Sequence, residues 1–123
     1  MKSTLNSNSI SNVGRTACPG KAKGKAKVIN NYSDLNTVEN GNILIAAQTD
    51  MNMTPYMERC IGIITESGGR YCHAAIYSRE NNIPCIVGVS EARKIIDEGM
   101  FVTLDADKRK IEWRHDETFM FTG

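Results

Sequence analysis

The sequence predicts an α/β domain in which buried strands alternate with short helices. Two apolar runs, Ile43–Ala47 and Ile61–Ile64, are typical of strands that are covered on both faces, and we expect the second strand to extend to Thr65. Segments with helix signals follow both runs, and the chain closes with two strand-like segments around a turn. A chain of 123 residues is long enough to bury one hydrophobic core, so we expect a single domain.

The N-terminal part of the chain predicts a tail and then a strand. Residues 1–13 are rich in serine and asparagine, which favours a flexible tail. From Gly20 onward, lysines alternate with small or apolar residues, and this period of two predicts a strand. Its lysines are Lys21, Lys23, Lys25 and Lys27. They form either a solvated face that discourages edge pairing or a stripe that binds phosphate.

The centre of the chain predicts two helices. Thr54 can cap the first, and Pro55 suits its first helical position. The second follows the Gly68-Gly69 turn and covers Tyr71–Asn82. A spacing of about 100° per residue turns the alanines and Ile76 of this helix toward the sheet.

The remaining predicted elements complete the domain, which spans 14–114. In chain order they are a helical turn in Asn31–Gly41, a buried strand at Pro84–Gly88, a short helix at Glu91–Asp97, and a hairpin of Met100–Asp105 and Lys110–Trp113. Ser90 can cap the short helix, and Gly99 ends it. We interpret 115–123 as a C-terminal tail.

Composition excludes several classes of function. The formal net charge of +1 at pH 7 is too small for a nucleic-acid surface, which carries a basic excess. No apolar run approaches the length of a membrane span, and residues 1–12 lack the apolar stretch of a secretory signal. We therefore expect a cytoplasmic protein that contacts neither nucleic acid nor membrane.

The cysteines predict neither a disulfide framework nor a metal site. They are Cys18, Cys60, Cys72 and Cys85. None of them lies at metal-ligand spacing from another cysteine or a histidine, so we expect reduced thiols and no bound metal. Cys60 and Cys85 lie in apolar runs, where a thiol packs as a small core side chain.

The strongest chemical signal surrounds His73. An apolar run ends at Gly68-Gly69, and the turn places His73 near the start of a helix. A helix start has unpaired N–H groups and a partial positive charge, which stabilise an anion. Imidazole is nucleophilic near neutral pH, with a pKa of about 6.5, and Arg70 adds positive charge nearby. The pattern suits a phosphorylated histidine, although an exposed histidine after a simple turn is also compatible with it.

The segment GGRYCHAAIYSRENNIPCIVGV, residues 68–89, resembles the phosphohistidine signature of the phosphoenolpyruvate-utilising enzymes. This family includes phosphoenolpyruvate synthase, pyruvate phosphate dikinase and enzyme I of the sugar phosphotransferase system. The resemblance extends from about Cys18 to Ile111. It implies a swivelling β/β/α phosphohistidine domain, a compact sandwich with short helices, in which His73 accepts a phosphoryl group on Nε2.

The local pattern and the resemblance together indicate a set of residues that support the phosphate site. They are Thr49, Thr65, Gly68, Gly69, Arg70, Tyr71 and Cys72. Thr49 matches a family pattern in which proline follows threonine six positions later, here Pro55, although a hydroxyl that caps a loop explains Thr49 equally well. Tyr71 replaces the family's usual small hydroxyl residue, and Tyr77 replaces a small aliphatic one.

The function that the resemblance implies is that of a phosphoryl carrier. We expect a phosphotransferase component that is inactive alone and depends on an ATP-grasp nucleotide-binding domain or a phosphoenolpyruvate-binding domain. Mg²⁺ and the nucleotide or phosphoenolpyruvate would bind to those partners, and this domain would hold no cofactor. The alternative is an interaction module that has lost phosphotransfer, which would fit a Tyr71 ring lying over His73.

Arg79 could either contact the phosphoryl group or form a structural ion pair. It belongs to the family motif, but it lies six positions after His73, which is about 240° around a helix. We therefore expect a structural ion pair for Arg79 rather than a contact with the phosphoryl group.

Overall fold

The computed structural model describes residues 7–115, which form eight strands and several short helices. The strands are β1 Ser7–Ile10, β2 Arg15–Cys18, β3 Lys21–Ile29, β4 Asn42–Ala46, β5 Cys60–Thr65, β6 Cys85–Val87, β7 Phe101–Asp105 and β8 Lys110–Arg114. The α-helices are α1 Thr54–Met57, α2 His73–Asn81 and α3 Ala92–Ile95, and short 3-10 segments cover Tyr32–Thr37 and Met51–Met53.

The long strand β3 joins two halves of the sheet, whose strand order is β1-β8-β7-β3-β4-β5-β6-β2. Its first half, Lys21–Lys25, pairs antiparallel with β7, and its second half, Ala26–Ile29, pairs parallel with β4. The parallel pairing continues through β5 to β6. One half is therefore antiparallel, and the other is mainly parallel.

Side chains on the two faces of the parallel strands enter different clusters. Leu44 and Ile63 pack in the cluster that contains Ala75 of α2. Residues on the opposite face, such as Ile45 and Ile64, pack with Val102, Leu104 and Ile111 of the antiparallel half. This alternation follows from the period of two in a strand. The result is three layers, sheet on sheet on helix, as expected for the β/β/α sandwich.

The prediction of a flexible tail over residues 1–13 is wrong for its second half. Ser7–Ile10 forms β1, which pairs antiparallel with β8 and places Ile10 opposite Ile111. Without β1, the backbone of β8 would have a free edge, and pairing satisfies those groups. The polar composition fits an edge strand, since Asn8 and Ser9 are exposed. Residues 1–6 lie outside the described part of the chain, as does the predicted C-terminal tail beyond His115.

The predicted lysine strand is confirmed as β3, with its first three lysines on a solvated face. In the described part of the chain, Lys21–Lys25 pairs only with β7, so this half of β3 has one partner strand. Lys21, Lys23 and Lys25 are exposed, whereas Lys27 contacts Glu98 at 2.5 Å. The prediction of a solvated lysine face is therefore confirmed for Lys21, Lys23 and Lys25.

The other differences between the predicted and the observed structure concern the caps, the boundaries and the inward-facing side of the helices. Asp50, rather than Thr54, caps the turn before α1, because its Oδ1 accepts from Asn52 N at 2.9 Å. Helix α2 begins two residues later than predicted. Ile76 faces solvent, with 41% of its surface exposed, whereas Tyr77 is buried. The predicted cap of α3 by Ser90 is absent, because Glu91 precedes this four-residue helix in a left-handed conformation.

Candidate functional site

The candidate site lies where parallel strands end. The loop after β4 contains Thr49, and the loop after β5 leads through Gly68 to His73 at the start of α2. Since β4 and β5 are parallel neighbours, these loops emerge at the same edge of the sheet. Ligands of open α/β sheets bind at this edge.

The His73 imidazole lies between two threonine hydroxyls. Thr49 Oγ1 is 2.7 Å from Nδ1, and Thr54 Oγ1 is 3.4 Å from Nε2. The ring also stacks on Tyr77, with 6.1 Å between the ring centroids. Thr49 is buried, with 8% of its surface exposed, and His73 is half-buried. The histidine is therefore held in a defined orientation with contacts at both nitrogens.

The two contacts bear on which nitrogen can act as a nucleophile. A neutral imidazole has one N–H donor and one nitrogen with a free lone pair. If Nδ1–H donates to Thr49 Oγ1, the lone pair is on Nε2, beside the more distant Thr54. A nucleophilic Nε2 therefore requires Thr49 to act as the acceptor of the Nδ1 proton.

The two glycines of the loop differ from each other. Gly68 has φ of +122°, and a Cβ there would lie 2.8 Å from Cys72 Sγ. Its conformation therefore favours glycine. Gly69 has an ordinary φ, and a Cβ there would meet no atom within 4 Å. Of the two glycines, only Gly68 therefore has a backbone conformation that other residues rarely adopt.

Arg79 ties this loop to the helix and to β2. Its Nη2 donates to Arg70 O at 2.6 Å, and its Nη1 donates to Ala17 O at 3.4 Å. No ion pair of Arg79 occurs within residues 7–115. The expected ion pair is therefore wrong, because the guanidinium satisfies backbone carbonyls instead.

The other predicted site residues support the loop or face solvent. Thr65 is fully buried, and its hydroxyl donates to Ser67 O at 2.8 Å, so it stabilises the turn. Cys72 precedes α2 in an extended conformation. The Arg70 side chain is exposed.

Tyr71 is largely free of the domain. Its side chain is 78% exposed, and the ring that contacts His73 belongs to Tyr77 instead. The substitution of tyrosine at position 71 therefore does not place an aromatic ring over the histidine in this structure. Tyr77, the other departure from the family pattern, is the one that adjoins the imidazole.

Thr54 and Tyr77 are the site residues that sequence analysis missed. Thr54 looked like a helix cap, and its place beside Nε2 depends on how the loop after β4 folds back over α2. Tyr77 lies four residues after His73, a spacing that puts two side chains on the same face of a helix. That spacing was the available signal for Tyr77.

A charge pair fixes the loop from its other side. Glu66 Oε1 lies 3.0 Å from Arg93 Nη2, and Oε2 accepts from Arg93 N at 2.8 Å. The hydrogen bond from the Arg93 side chain lowers the pKa of the Glu66 carboxyl, although partial burial opposes this effect. Glu66 therefore remains ionised at neutral pH and connects the loop after β5 to α3.

The cysteines do not provide a reactive centre in the core. All four are free, and burial raises the pKa of Cys60 and of Cys85 to about 12. Burial also raises the pKa of Cys18. Since the thiolate is the reactive form, these thiols are inert near neutral pH.

Within residues 7–115 no cluster of His, Cys, Asp and Glu could hold a metal ion. None of the helices in this range has the length and apolar character of a membrane span.

Residues 38–109 match the family described as "PEP-utilising enzyme, mobile domain". The chain is 45% identical over 95 residues to a probable phosphoenolpyruvate synthase of Archaeoglobus fulgidus, covering 77% of this chain and 13% of that protein. It is 44% identical over 95 residues to the phosphoenolpyruvate synthase of Pyrococcus furiosus, covering 77% of this chain and 12% of that one. The chain thus spans about an eighth of the length of these relatives.

A solved structure gives the same assignment. The solution structure of an Enzyme I protein superposes with a TM-score of 0.57 at 26% identity, covering 76% of this chain and 37% of that chain. The sandwich and the match over residues 38–109 therefore agree. This chain belongs to the family of PEP-utilising enzyme mobile domains.

Proposed function

We propose that this domain is a phosphoryl carrier that is transiently phosphorylated on Nε2 of His73. The observation that supports this most strongly is the 2.7 Å contact between Thr49 Oγ1 and Nδ1. With its proton on Nδ1 and directed at Thr49, the imidazole presents the lone pair of Nε2. His73 is half-buried, so part of the residue remains exposed to a partner.

Phosphorylation forms one bond and breaks another. The Nε2 lone pair attacks the phosphorus of a donor, an N–P bond forms, and the leaving oxygen keeps the electron pair of the broken P–O bond. In the second step an acceptor oxygen attacks the same phosphorus, and the N–P electron pair returns to Nε2. The proton on Nδ1 stays with Thr49 in both steps, so the carrier regains its starting tautomer.

The surroundings of Nε2 suit a phosphoryl group. Thr54 Oγ1 lies 3.4 Å from Nε2 and can donate to a phosphoryl oxygen after transfer. The N–H groups at the start of α2 add a partial positive charge. A Cβ placed on Gly69 would have no neighbouring atom within 4 Å. This open space lets a large donor approach the loop.

Donor and acceptor would bind to other domains. Phosphoryl transfer depends on positioning and charge stabilisation by basic groups and Mg²⁺. We propose an ATP-grasp nucleotide-binding domain and a phosphoenolpyruvate-binding domain as partners, with Mg²⁺ and the nucleotide or phosphoenolpyruvate held there. The names of the relatives as phosphoenolpyruvate synthases support this choice, as does the small share of their length that this chain spans.

The direct test is phosphate labelling of the purified protein. The chain would be incubated in extract of its own cell with labelled phosphoenolpyruvate, or with ATP labelled at the β or γ position. We expect acid-labile, alkali-stable label on the wild type and none on His73→Ala. The matched control is His115→Ala, which removes the other histidine of the chain, is exposed in the structure, and should label fully.

The opposite outcome is equally informative. Absence of label from either donor, in a folded protein whose His73 still reacts with diethylpyrocarbonate, would reject the carrier. It would favour the interaction module that has lost phosphotransfer.

A further inference from the structure

Beside the His73 loop lies an open groove lined by three arginines. It has a volume of about 420 Å³, and its walls come from β2, from the loop before α2 and from α2 itself. The arginines are Arg15 on β2, Arg70 in the loop and Arg79 on α2. None of the described residues that line the groove is acidic. The groove is therefore positively charged, and no lining residue within 7–115 neutralises the arginines.

Two of these guanidinium groups have no partner in the described part of the chain. Arg15 and Arg70 are exposed, and neither side chain forms a hydrogen bond or an ion pair with any residue in 7–115. Arg79, in contrast, is fixed by its bonds to Ala17 O and Arg70 O. The groove thus combines one rigid arginine with two that are available to bind an anionic group.

Tyr71 gives the groove an aromatic side chain at its rim. It is 78% exposed and lines the groove together with the arginines. Tyrosine and arginine are the residue types enriched at the energetic centres of protein interfaces. The few contacts of the exposed Tyr71 side chain do not explain its presence by a role in the stability of the domain.

The shape of the groove favours a protein over a small ligand. Small-molecule sites enclose most of the ligand surface. Here Tyr71 is mostly solvent-exposed, and the groove runs along β2, which is the last strand of the sheet. An open, charged groove of this kind suits an extended or convex segment of another protein.

We infer that this groove is a docking surface for an acidic segment of the domain that exchanges the phosphoryl group with His73. Tyr71 is two residues before His73, so their Cα atoms are at most about 7.6 Å apart. A partner bound in the groove therefore contacts the loop that leads directly into His73. Long-range attraction between the arginines and carboxylates would also speed the encounter. The acidic character of the partner follows from the groove, whereas its identity as the phosphoryl-exchanging domain rests on the proposed function.

The test uses a decaglutamate peptide as a probe, titrated into the ¹⁵N-labelled chain at low salt and followed by NMR. We expect saturable shifts at the amides of Arg15, Arg70, Tyr71 and Arg79, which weaken as salt screens the charges. Arg15→Gln and Arg70→Gln should each weaken binding about twofold to fivefold, and the double variant about tenfold. Tyr71→Ala should also weaken it, although the charge is unchanged.

Matched controls separate a groove from a general attraction. Lys23→Gln and Lys25→Gln remove the same charge from the exposed face of β3 and should leave the Kd unchanged. Equal weakening by these variants, or shifts spread over the lysine face, would overturn the proposal. Tighter binding of ATP to the same amides, with displacement of the peptide, would also overturn it in favour of a small-anion site.

The same titration on His73→Ala separates this proposal from the carrier function. The groove does not include His73, so the peptide should bind the variant with an unchanged Kd. Binding without phosphate labelling of the wild type would reject the carrier and keep the groove. Labelling without peptide binding would reject the groove and keep the carrier.

Discussion

The hydroxyl oxygen of Thr49 lies 2.7 Å from Nδ1 of His73, although 24 residues separate them in the chain. The two residues meet because β4 and β5 are parallel neighbours, so the loops that follow them share one edge of the sheet. This contact fixes the imidazole at the nitrogen opposite the proposed phosphoryl acceptor. It is therefore the first contact to remove in a test of the site.

Thr49→Val removes the hydroxyl and nearly preserves the volume. We expect phosphorylation of His73 to slow about tenfold to a hundredfold, because the imidazole loses the group that orients it. ¹⁵N NMR of the ring should show a smaller fraction with the proton on Nδ1. Thr49→Ser keeps the hydroxyl and should stay close to the wild type in both measurements. A normal labelling rate in Thr49→Val would remove this residue from the mechanism.

Thr54→Val tests the hydroxyl near Nε2. If the hydroxyl donates to a phosphoryl oxygen, its loss should accelerate hydrolysis of the phosphohistidine about threefold to tenfold, the effect of one hydrogen bond. The measurement is the half-life of the label on the isolated phosphoprotein, with Thr54→Ser as the matched control. An unchanged half-life in Thr54→Val would mean that the 3.4 Å contact exists only in the unphosphorylated state.

Gly68→Ala and Gly69→Ala form a matched pair in the same turn. Gly68 has φ of +122° and a close neighbour in Cys72 Sγ, so alanine there should lower the free energy of unfolding by about 1–3 kcal/mol. Gly69 has an ordinary φ and free space, so alanine there should change it by less than about 1 kcal/mol. Urea unfolding, followed by the fluorescence of Trp113, measures both. Equal destabilisation by the two variants would contradict the difference in their conformations.

The pair of Glu66 and Arg93 predicts a dependence of stability on pH. Arg93 lowers the pKa of Glu66, so the unfolded chain binds a proton at this carboxyl more readily than the folded one. The stabilisation is complete above the ordinary carboxyl pKa of about 4.3 and is lost as the pH falls through the lower value of the folded state.

Glu66→Gln should therefore be less stable than the wild type at neutral pH, by about 1–3 kcal/mol, and the difference should shrink in acid. Urea unfolding at a series of pH values measures it. Glu91→Gln removes an exposed carboxylate that lies 3.8 Å from Lys94, and it should have little effect at any pH. A difference between Glu66→Gln and wild type that stays constant down to strongly acidic pH would contradict the assigned cause.

Local patterns were enough to predict most of the elements. The alternating lysines of β3, the apolar runs of β4 and β5, and the hairpin of β7 and β8 all have periods that a short window reveals. The prediction of a flexible tail failed at residues 7–10 because an edge strand with exposed polar side chains has the same composition as a flexible tail.

The orientation of individual side chains was less predictable. The exposed Ile76 and the buried Tyr77 reverse the usual preference of these residue types, because the packing of α2 against the rest of the domain decides which side of the helix faces inward. Arg79 bonds to two carbonyls because the loop before α2 and strand β2 both pass near it. Neither arrangement follows from spacing along one helix.

The sequence by itself determined the family, the sandwich and the position of His73 at the start of a helix after a Gly-Gly turn. These features depend on residues that are close together in the chain, so a motif and a period describe them. Only the tertiary structure decided that Thr49 and Thr54 flank the imidazole, that Tyr77 rather than Tyr71 adjoins it, and that three arginines share a groove. The physical reason is that these contacts join separate elements, and their geometry depends on strand order and on how the loops fold over the edge of the sheet.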